Sequence, residues 1–121
     1  MSTDAAPEEE LVDVPFLRFY HSQALRAKTL NVLSTIEQAK DSTRYRGALA
    51  DMVVELTNSG MDYYFMAPLR LAKVGFVVEQ SVSVSLSGAT RLLAGVIHNI
   101  IGRMDAKQML FVCGYIRDLM E

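Results

Sequence analysis

Apolar residues recur at helical spacing along most of the chain, and the most regular stripe lies near its middle. Six apolar positions there follow the i, i+3, i+4, i+7, i+8, i+11 spacing of one helix face: Tyr45, Ala48, Leu49, Met52, Val53 and Leu56. Capping oxygens precede the stripe in Asp41-Ser42-Thr43, and a glycine that can close a helix follows it in Asn58-Ser59-Gly60. The pattern predicts an amphipathic helix between these two signals.

The N-terminal region divides at Asp13. Residues 1–12 are small, acidic and without apolar residues enough to form a core, so they are predicted to be a disordered tail. Asp13 can cap a helix whose first turn contains Pro15, and that helix is expected to run to about Ala39. Its apolar residues change face on the way. The helix therefore either bends near Lys28 or contacts two different neighbours.

A third apolar segment begins near Met61, and Pro68 either kinks it or opens a new helix. Residues 81–87 alternate serine with valine or leucine, which is the period of a strand. No second strand candidate exists to pair with them, and an isolated strand would leave its backbone without hydrogen bonds. We therefore predict that residues 81–87 are helical.

Two further helices are predicted in the last third of the chain. Ser87-Gly88 is expected to break or bend the chain before a helix with one broad apolar face: Leu92, Leu93, Val96, Ile97, Ile100, Ile101 and Met104. Asp105 can cap a last helix that ends at Met120. The fold class is therefore all-α, a four- to five-helix bundle with short loops. Its predicted organisation is a disordered acidic tail over 1–12 and a single helical-bundle domain over 13–121.

Composition adds the question of what buries so many apolar residues. Half of the 121 residues are hydrophobic, which is a large share for one small domain. The stretch from Met61 to Leu86 is the most informative, but charged residues interrupt it too often for a bilayer span, so no transmembrane segment is expected. Burial by a second copy is the expectation. The predicted interface residues are Tyr63, Tyr64, Phe65, Met66 and Val77.

Charge and cysteine content bear on location and partners. The net charge is −2, and residues 1–13 carry five acidic and no basic residues, so the remainder carries +3. This body is only weakly basic and its cations do not align on one helix, so nucleic-acid binding is not expected. Cys113 is the single cysteine, which excludes an internal disulfide and favours a reducing compartment. The N-terminus lacks the features of a secretory signal, and the cytoplasm is the expected location.

Two groups of basic residues are candidates for an anion or ligand site. Lys40, Arg44 and Arg46 surround the cap of the second helix, where backbone amides can also bind a phosphate or carboxylate. Arg91 and His98 share a helix face with two glycines, which would let an anionic ligand approach the backbone. The alternative for both groups is an ordinary solvated surface, or, for the second, a packed partner helix.

Catalytic, metal and cofactor signatures are not found. The two histidines lack the carboxylate spacing of a helical metal site, and no glycine-rich phosphate loop is present. Cys113 lies in an apolar stripe and is interpreted as a core thiol. We therefore expect a non-enzymatic interaction module, a homodimer acting through protein contacts, without cofactor or metal. The alternatives are a binding protein for an apolar or acyl ligand and peripheral attachment to a lipid or storage-inclusion surface.

Overall fold

A computed structural model describes residues 21–120, which form helices and connecting turns. Five α-helices lie within this range: α1 (Gln23–Gln38), α2 (Arg46–Met61), α3 (Ala67–Ala72), α4 (Phe76–Ile101) and α5 (Ala106–Leu119). A 3-10 turn (Ser42–Tyr45) precedes α2, and a π-helical turn (Asp62–Met66) joins α2 to α3. The predicted all-α class is confirmed. The predicted acidic tail over 1–12 lies outside the described residues.

Helix α1 begins later than its sequence pattern predicted. Ser22 has an extended backbone and its side chain accepts a hydrogen bond from the Leu25 amide, so the helix begins at Gln23. The expectation of one continuous helix from Asp13 to Ala39 is therefore wrong, and residues 13–20 lie outside the described range. The part that is seen buries a single face, formed by Thr29, Leu33 and Ile36.

Helix α2 does not end at Gly60, contrary to the prediction. The chain stays helical through the π turn and α3, and the Ala67 amide donates to the carbonyl of Asp62, five residues earlier. Proline lacks an amide hydrogen and its ring clashes with the carbonyl four residues before it. The widened turn immediately before Pro68 accommodates this mismatch, so the helical path continues instead of breaking.

The chain reverses at Lys73–Gly75, a turn that the sequence pattern did not indicate. Lys73 has a left-handed backbone with φ of 57°, and Gly75 has φ of 107°, a conformation that favours glycine. Helix α4 then returns alongside α2 and the π turn, forming a helical hairpin with its tip at the reversal. Residues 81–87 are helical, as predicted. The predicted break at Ser87-Gly88 is wrong, because α4 runs through it.

Helix α5 starts at the cap that its sequence predicted. The Asp105 carboxylate accepts from the Gln108 amide at 2.8 Å, and the Gln108 side chain accepts from the Asp105 amide at 3.0 Å. This reciprocal pair is a capping box. The helix packs against α1 and the 3-10 turn. Arg46 adds a tether from the start of α2, since its Nε donates to the Met104 carbonyl at 2.8 Å.

The hydrophobic core lies at one end of the molecule. Its buried residues come from α1, α2, the end of α4 and α5: Leu33, Ile36, Leu49, Ala50, Met52, Ile101, Met109 and Cys113. Between residues 53 and 100, by contrast, no residue is buried. We call these two parts the core end and the hairpin. The hairpin projects from the core end as two helical segments, one from α2 through α3 and the other α4. They pack against each other along one side.

The core end contains a buried hydroxyl whose removal should stabilise the protein. Among the described residues, no group is placed to hydrogen-bond the Thr29 hydroxyl, although Thr29 is fully buried. Valine has nearly the same shape, so Thr29→Val should raise the free energy of unfolding by about 1 kcal/mol in urea denaturation. Thr35→Val is the control, because the exposed Thr35 hydroxyl donates to the Asn31 carbonyl. Equal effects of both substitutions would contradict the explanation.

Candidate interaction surface

One side of α4 is exposed along its whole length and is largely apolar. At 100° per residue its members fall within an arc of about 120°, and each is exposed: Val77, Ser81, Val84, Ser85, Gly88, Leu92, Gly95, Val96 and Asn99. We call these nine residues the outer face. Val77 is 78% exposed, Val84 65% and Leu92 76%. None of the nine is charged, so this is an apolar surface of unusual length for a small monomer.

The opposite side of α4 accounts for its contacts with the rest of the chain. The partly or fully buried residues of α4 all lie on that second arc: Glu79, Val82, Leu86, Thr90, Ala94, Ile97 and Ile101. Their spacing of three or four residues is that of one helix face against one neighbour. Within residues 21–120, α4 thus packs with one face against the rest of the chain, and its outer face stays exposed.

The outer face contains a groove near the hairpin tip. Its volume is about 460 Å³, and its lining is formed by Phe76, Val77, Gln80, Ser81, Val84 and Ser85. The small side chains of Ser81 and Ser85 lie between larger apolar ones, which leaves room for side chains of a second surface. The groove is open along the helix, so it fits a protein or lipid surface better than an enclosed small molecule.

Two glycines in the outer face, Gly88 and Gly95, have no close neighbour among the described residues. In the described part of the chain, no atom lies within 4 Å of the position that a Cβ would take at Gly88 or Gly95. A glycine in a helix interior costs about 1 kcal/mol relative to alanine. Gly102 differs, since a Cβ there would meet the His98 carbonyl oxygen at 2.8 Å. If a molecule outside the monomer lay equally close to Gly88 and Gly95, a Cβ at either position would clash with it.

A second exposed apolar patch lies on α5. Phe111, Tyr115 and Leu119 are 74%, 60% and 70% exposed. An open groove of about 350 Å³ lies beside the first of them, lined by Met104, Lys107, Gln108, Phe111 and Val112. The remaining face of α5 is bound to α1, partly through Arg117, whose Nη2 lies 2.6 Å from Glu37 Oε1. This patch is shorter than the outer face and carries Lys107 at its edge.

The structure places the five predicted interface residues in two locations. Val77 belongs to the outer face near the tip. The aromatic cluster lies in the π turn of the neighbouring segment, where the rings of Tyr63 and Tyr64 meet edge to face with centroids 5.4 Å apart. Phe65 is half exposed, and Met66 is partly buried. Their part in an interface remains a prediction.

The two predicted groups of anion-binding residues lie at the start of α2 and on α4. Arg46 is engaged with the Met104 carbonyl, while Lys40 and Arg44 are exposed. Asp41 lies among them, and hydrogen bonds from the Thr43 hydroxyl and amide hold the pKa of its carboxyl below the usual range. Arg91 lies ten residues before the end of α4, about 15 Å by helix rise, on the edge of the outer face. His98 instead faces α2, with Nε2 at 3.0 Å from Asp51 Oδ1.

Cys113 has the properties of a core thiol. It is fully buried, and burial raises the pKa of its thiol from 9.0 to about 11. A thiol in this state is protonated at neutral pH and is a poor nucleophile. Within the residues that the structure describes, no group of three or more histidine, cysteine, aspartate or glutamate side chains could hold a metal ion.

The raised pKa of Cys113 predicts both low reactivity and alkaline destabilisation. The folded protein holds the thiol proton more tightly than the unfolded chain, so this stabilisation is complete below pH 9.0 and is lost as the pH rises toward about 11. Iodoacetamide at pH 8 should therefore label Cys113 only after unfolding. The loss of stability between pH 8 and pH 10.5 should be smaller in Cys113→Ala than in the parent. Rapid labelling of the folded protein would contradict the prediction.

A scan against protein-family models, a search of curated proteins and a search of solved structures each found no match. Function must therefore be argued from the surface itself. By length and composition alone, α4 is able to cross a membrane, because the mean hydropathy of its most apolar 18 residues is 1.3. Core helices of soluble proteins can be as long and as apolar, but they are mostly buried. Only 6% of this stretch of α4 is buried. The expectation of no transmembrane segment remains a prediction.

The outer face was not identified by sequence reasoning. Leu92 and Val96 were assigned to the core stripe of a separate helix, but they are 76% and 52% exposed. Of that predicted stripe, Ile101 is buried, and Ile97 and Met104 are partly buried. The available signal was the recurrence of small residues every seventh position, at Ser81, Gly88 and Gly95. Such a pattern indicates a close helix contact.

Proposed function

We propose that this protein is a non-enzymatic helical interaction module that forms a homodimer through the outer face of α4. The observation that carries the proposal is the exposed, uncharged face of a 26-residue helix, which spans about 39 Å. Two-fold pairing is the commonest way for one domain to cover an apolar face. The core end, with its buried residues from four helices, supplies a stable base on which the hairpin is presented.

Attachment to a lipid surface is the second candidate, and the length and hydropathy of α4 favour it. The neighbouring segment weighs against deep insertion, because α4 packs along α2 and the π turn, which carry the charges of Asp51, Glu55 and Asp62. A charged side chain costs about 3 kcal/mol or more at the centre of a bilayer. Insertion of α4 would have to separate it from this segment or take these charges with it.

A binding protein for an apolar or acyl ligand is the third candidate. Sites for such ligands enclose most of the ligand surface. The grooves on α4 and α5 are open instead, and each is lined from one side. Arg91 could approach a carboxylate at the edge of the outer face, but His98, the other member of its predicted group, pairs with Asp51. The geometry therefore favours a protein surface over a small molecule.

Measurement of mass in solution tests the proposal. The chain has a mass of 13.5 kDa, and sedimentation equilibrium at micromolar concentration should give twice that value. Flotation with vesicles of phosphatidylcholine and phosphatidylglycerol, run on the same sample, should leave the protein in the aqueous fraction. A stable monomer that floats with the vesicles would replace the proposal with the lipid alternative, and a monomer that does not float would exclude both.

A further inference from the structure

The outer face has a pattern that is symmetric about Gly88. Ser81 and Gly95 lie seven residues before and after it, and both are small. Val84 and Leu92 lie four residues before and after it, and both are large and apolar. When a helix face that reads small, large, small, large, small in both directions meets its own reversed copy about the central residue, small residues lie opposite small ones. The two backbones can then approach closely at all three small positions, while residue i meets the symmetric position of the other copy, as in any two-fold contact.

We propose that the second copy packs its α4 antiparallel against this one, with the two-fold axis at Gly88. This inference rests on the proposed function, since it names the geometry of that dimer. Gly88 then meets Gly88 of the second copy, Val84 lies opposite its Leu92, and Ser81 lies opposite its Gly95. The tip of each hairpin extends toward the core end of the other copy.

Close helix approach explains why small residues occupy the centre and both flanks of the contact. Helices ordinarily pack with their axes 8–10 Å apart, and shorter distances require small residues where the backbones meet. Ser81, Gly88 and Gly95 provide three such positions over about 21 Å of helix. The open space around the glycines in the monomer is then the space that the second helix fills.

Charge also favours the antiparallel arrangement. Arg91 is at the edge of the outer face, and a parallel pair would place the two Arg91 side chains at the same height, where they repel. In the antiparallel pair they are offset by six residues, about 9 Å along the axis. Each instead comes beside Ser85 of the second copy, without a facing cation.

The outer face offers a second α4 a long contact. From Val77 to Asn99 it extends about 33 Å by helix rise. Its four large apolar side chains are all exposed: Val77, Val84, Leu92 and Val96. A bilayer would cover the same side chains, but it would neither require glycines at the centre nor tolerate the charges of the adjoining segment as well.

Paired cysteines distinguish the antiparallel from the parallel arrangement. Val84→Cys and Leu92→Cys are made separately in the full chain, and the two proteins are oxidised alone and after mixing and re-equilibration. We expect a covalent dimer in the mixture and little in either protein alone, because each new cysteine is about 12 Å along the axis from its own copy. The parent protein is the control, since its buried Cys113 should not crosslink.

The outcomes separate this inference from the proposed function. Crosslinking of each variant with itself indicates a parallel pair, and a dimeric mass without crosslinking in any sample indicates a different interface. Both results overturn the inference and leave the homodimer in place. A monomeric mass for the parent protein overturns both. Crosslinking confined to the mixture supports the antiparallel geometry.

Gly88→Ala provides an independent test that leaves the cysteines out. In the monomer the added methyl group meets no described atom, so folding should be unimpaired or improved. At the two-fold axis, however, two methyl groups would meet, and we expect the dissociation constant to rise at least tenfold. Gly47→Ala is the matched control, because Gly47 also lies in a helix with open space around it, outside the outer face. An unchanged dissociation constant for Gly88→Ala would overturn the inference.

Discussion

Leu92→Glu should convert the proposed dimer into a folded monomer. Leu92 is 76% exposed in the single chain, so the substitution removes little from the folded monomer. In the dimer the carboxylate would lie against Val84 of the second copy, and the two-fold axis repeats this burial. An unpaired charge in an apolar contact loses its hydration without compensation. We expect the dissociation constant to rise by two orders of magnitude or more, measured by sedimentation equilibrium over a concentration series.

Phe111→Glu is the matched control for this prediction. Phe111 is 74% exposed, nearly the same as Leu92, but it lies on α5 rather than on the outer face. Both substitutions replace an exposed apolar side chain by a carboxylate, so any effect of the added charge on solubility is the same in the two variants. Circular dichroism should show the same helix content in both variants. Equal loss of dimer in the two variants, or loss in Phe111→Glu alone, would show that the interface is elsewhere.

Local signals predicted two caps correctly. Asp105 caps α5 and Asp41 caps the 3-10 turn that leads into α2, because a carboxylate next to free amides acts within a few residues. Gly60 and Gly88 were interpreted as points where a helix ends or breaks. Gly60 instead lies within α2, which continues into the π turn, and Gly88 lies within α4. Glycine only weakens a helix by about 1 kcal/mol, and pairing of the two hairpin segments outweighs that cost. Tertiary contacts of this kind leave no local signal.

At the hairpin tip, the chain reverses at a position where the sequence pattern predicted no turn. Pro68 was the strongest breaker in this region, but the π turn before it keeps the path helical. The reversal occurs instead at Lys73, a residue that rarely has positive φ, with Gly75 two positions later. A lysine gives no turn signal. The glycine alone was too weak a signal inside an apolar run.

The outer face could not be located by periodicity, because α4 is apolar on almost every side. Val82 and Leu86 face the neighbouring segment, while Val84 and Val96 face away from it. A hydrophobic arc this wide shows that more than one neighbour is needed, but not which residues meet which neighbour. The sequence predicted an excess of apolar surface, and large apolar side chains of α4 are exposed. Which side of α4 is exposed depends on how the two hairpin segments pack, which periodicity does not show.

The core end is expected to carry most of the folding stability of the chain. Met109 is fully buried at the core end, where four helices meet, so Met109→Ala should lower the free energy of unfolding by about 2–5 kcal/mol. Val82 is only partly buried on the inner face of the hairpin, and Val82→Ala should cost about 1 kcal/mol. Urea denaturation of the two variants, at a concentration where the protein is monomeric, measures both.

No residue between 53 and 100 is buried in the single chain. If the core end carries the stability, the hairpin is held in place only where it joins the core end. Its backbone hydrogen bonds are then protected along their length only when a second outer face covers α4. Hydrogen exchange of the α4 amides should then slow as protein concentration rises through the dissociation constant. Equal costs for Met109→Ala and Val82→Ala, or concentration-independent exchange in α4, would mean that the hairpin is stable without a partner.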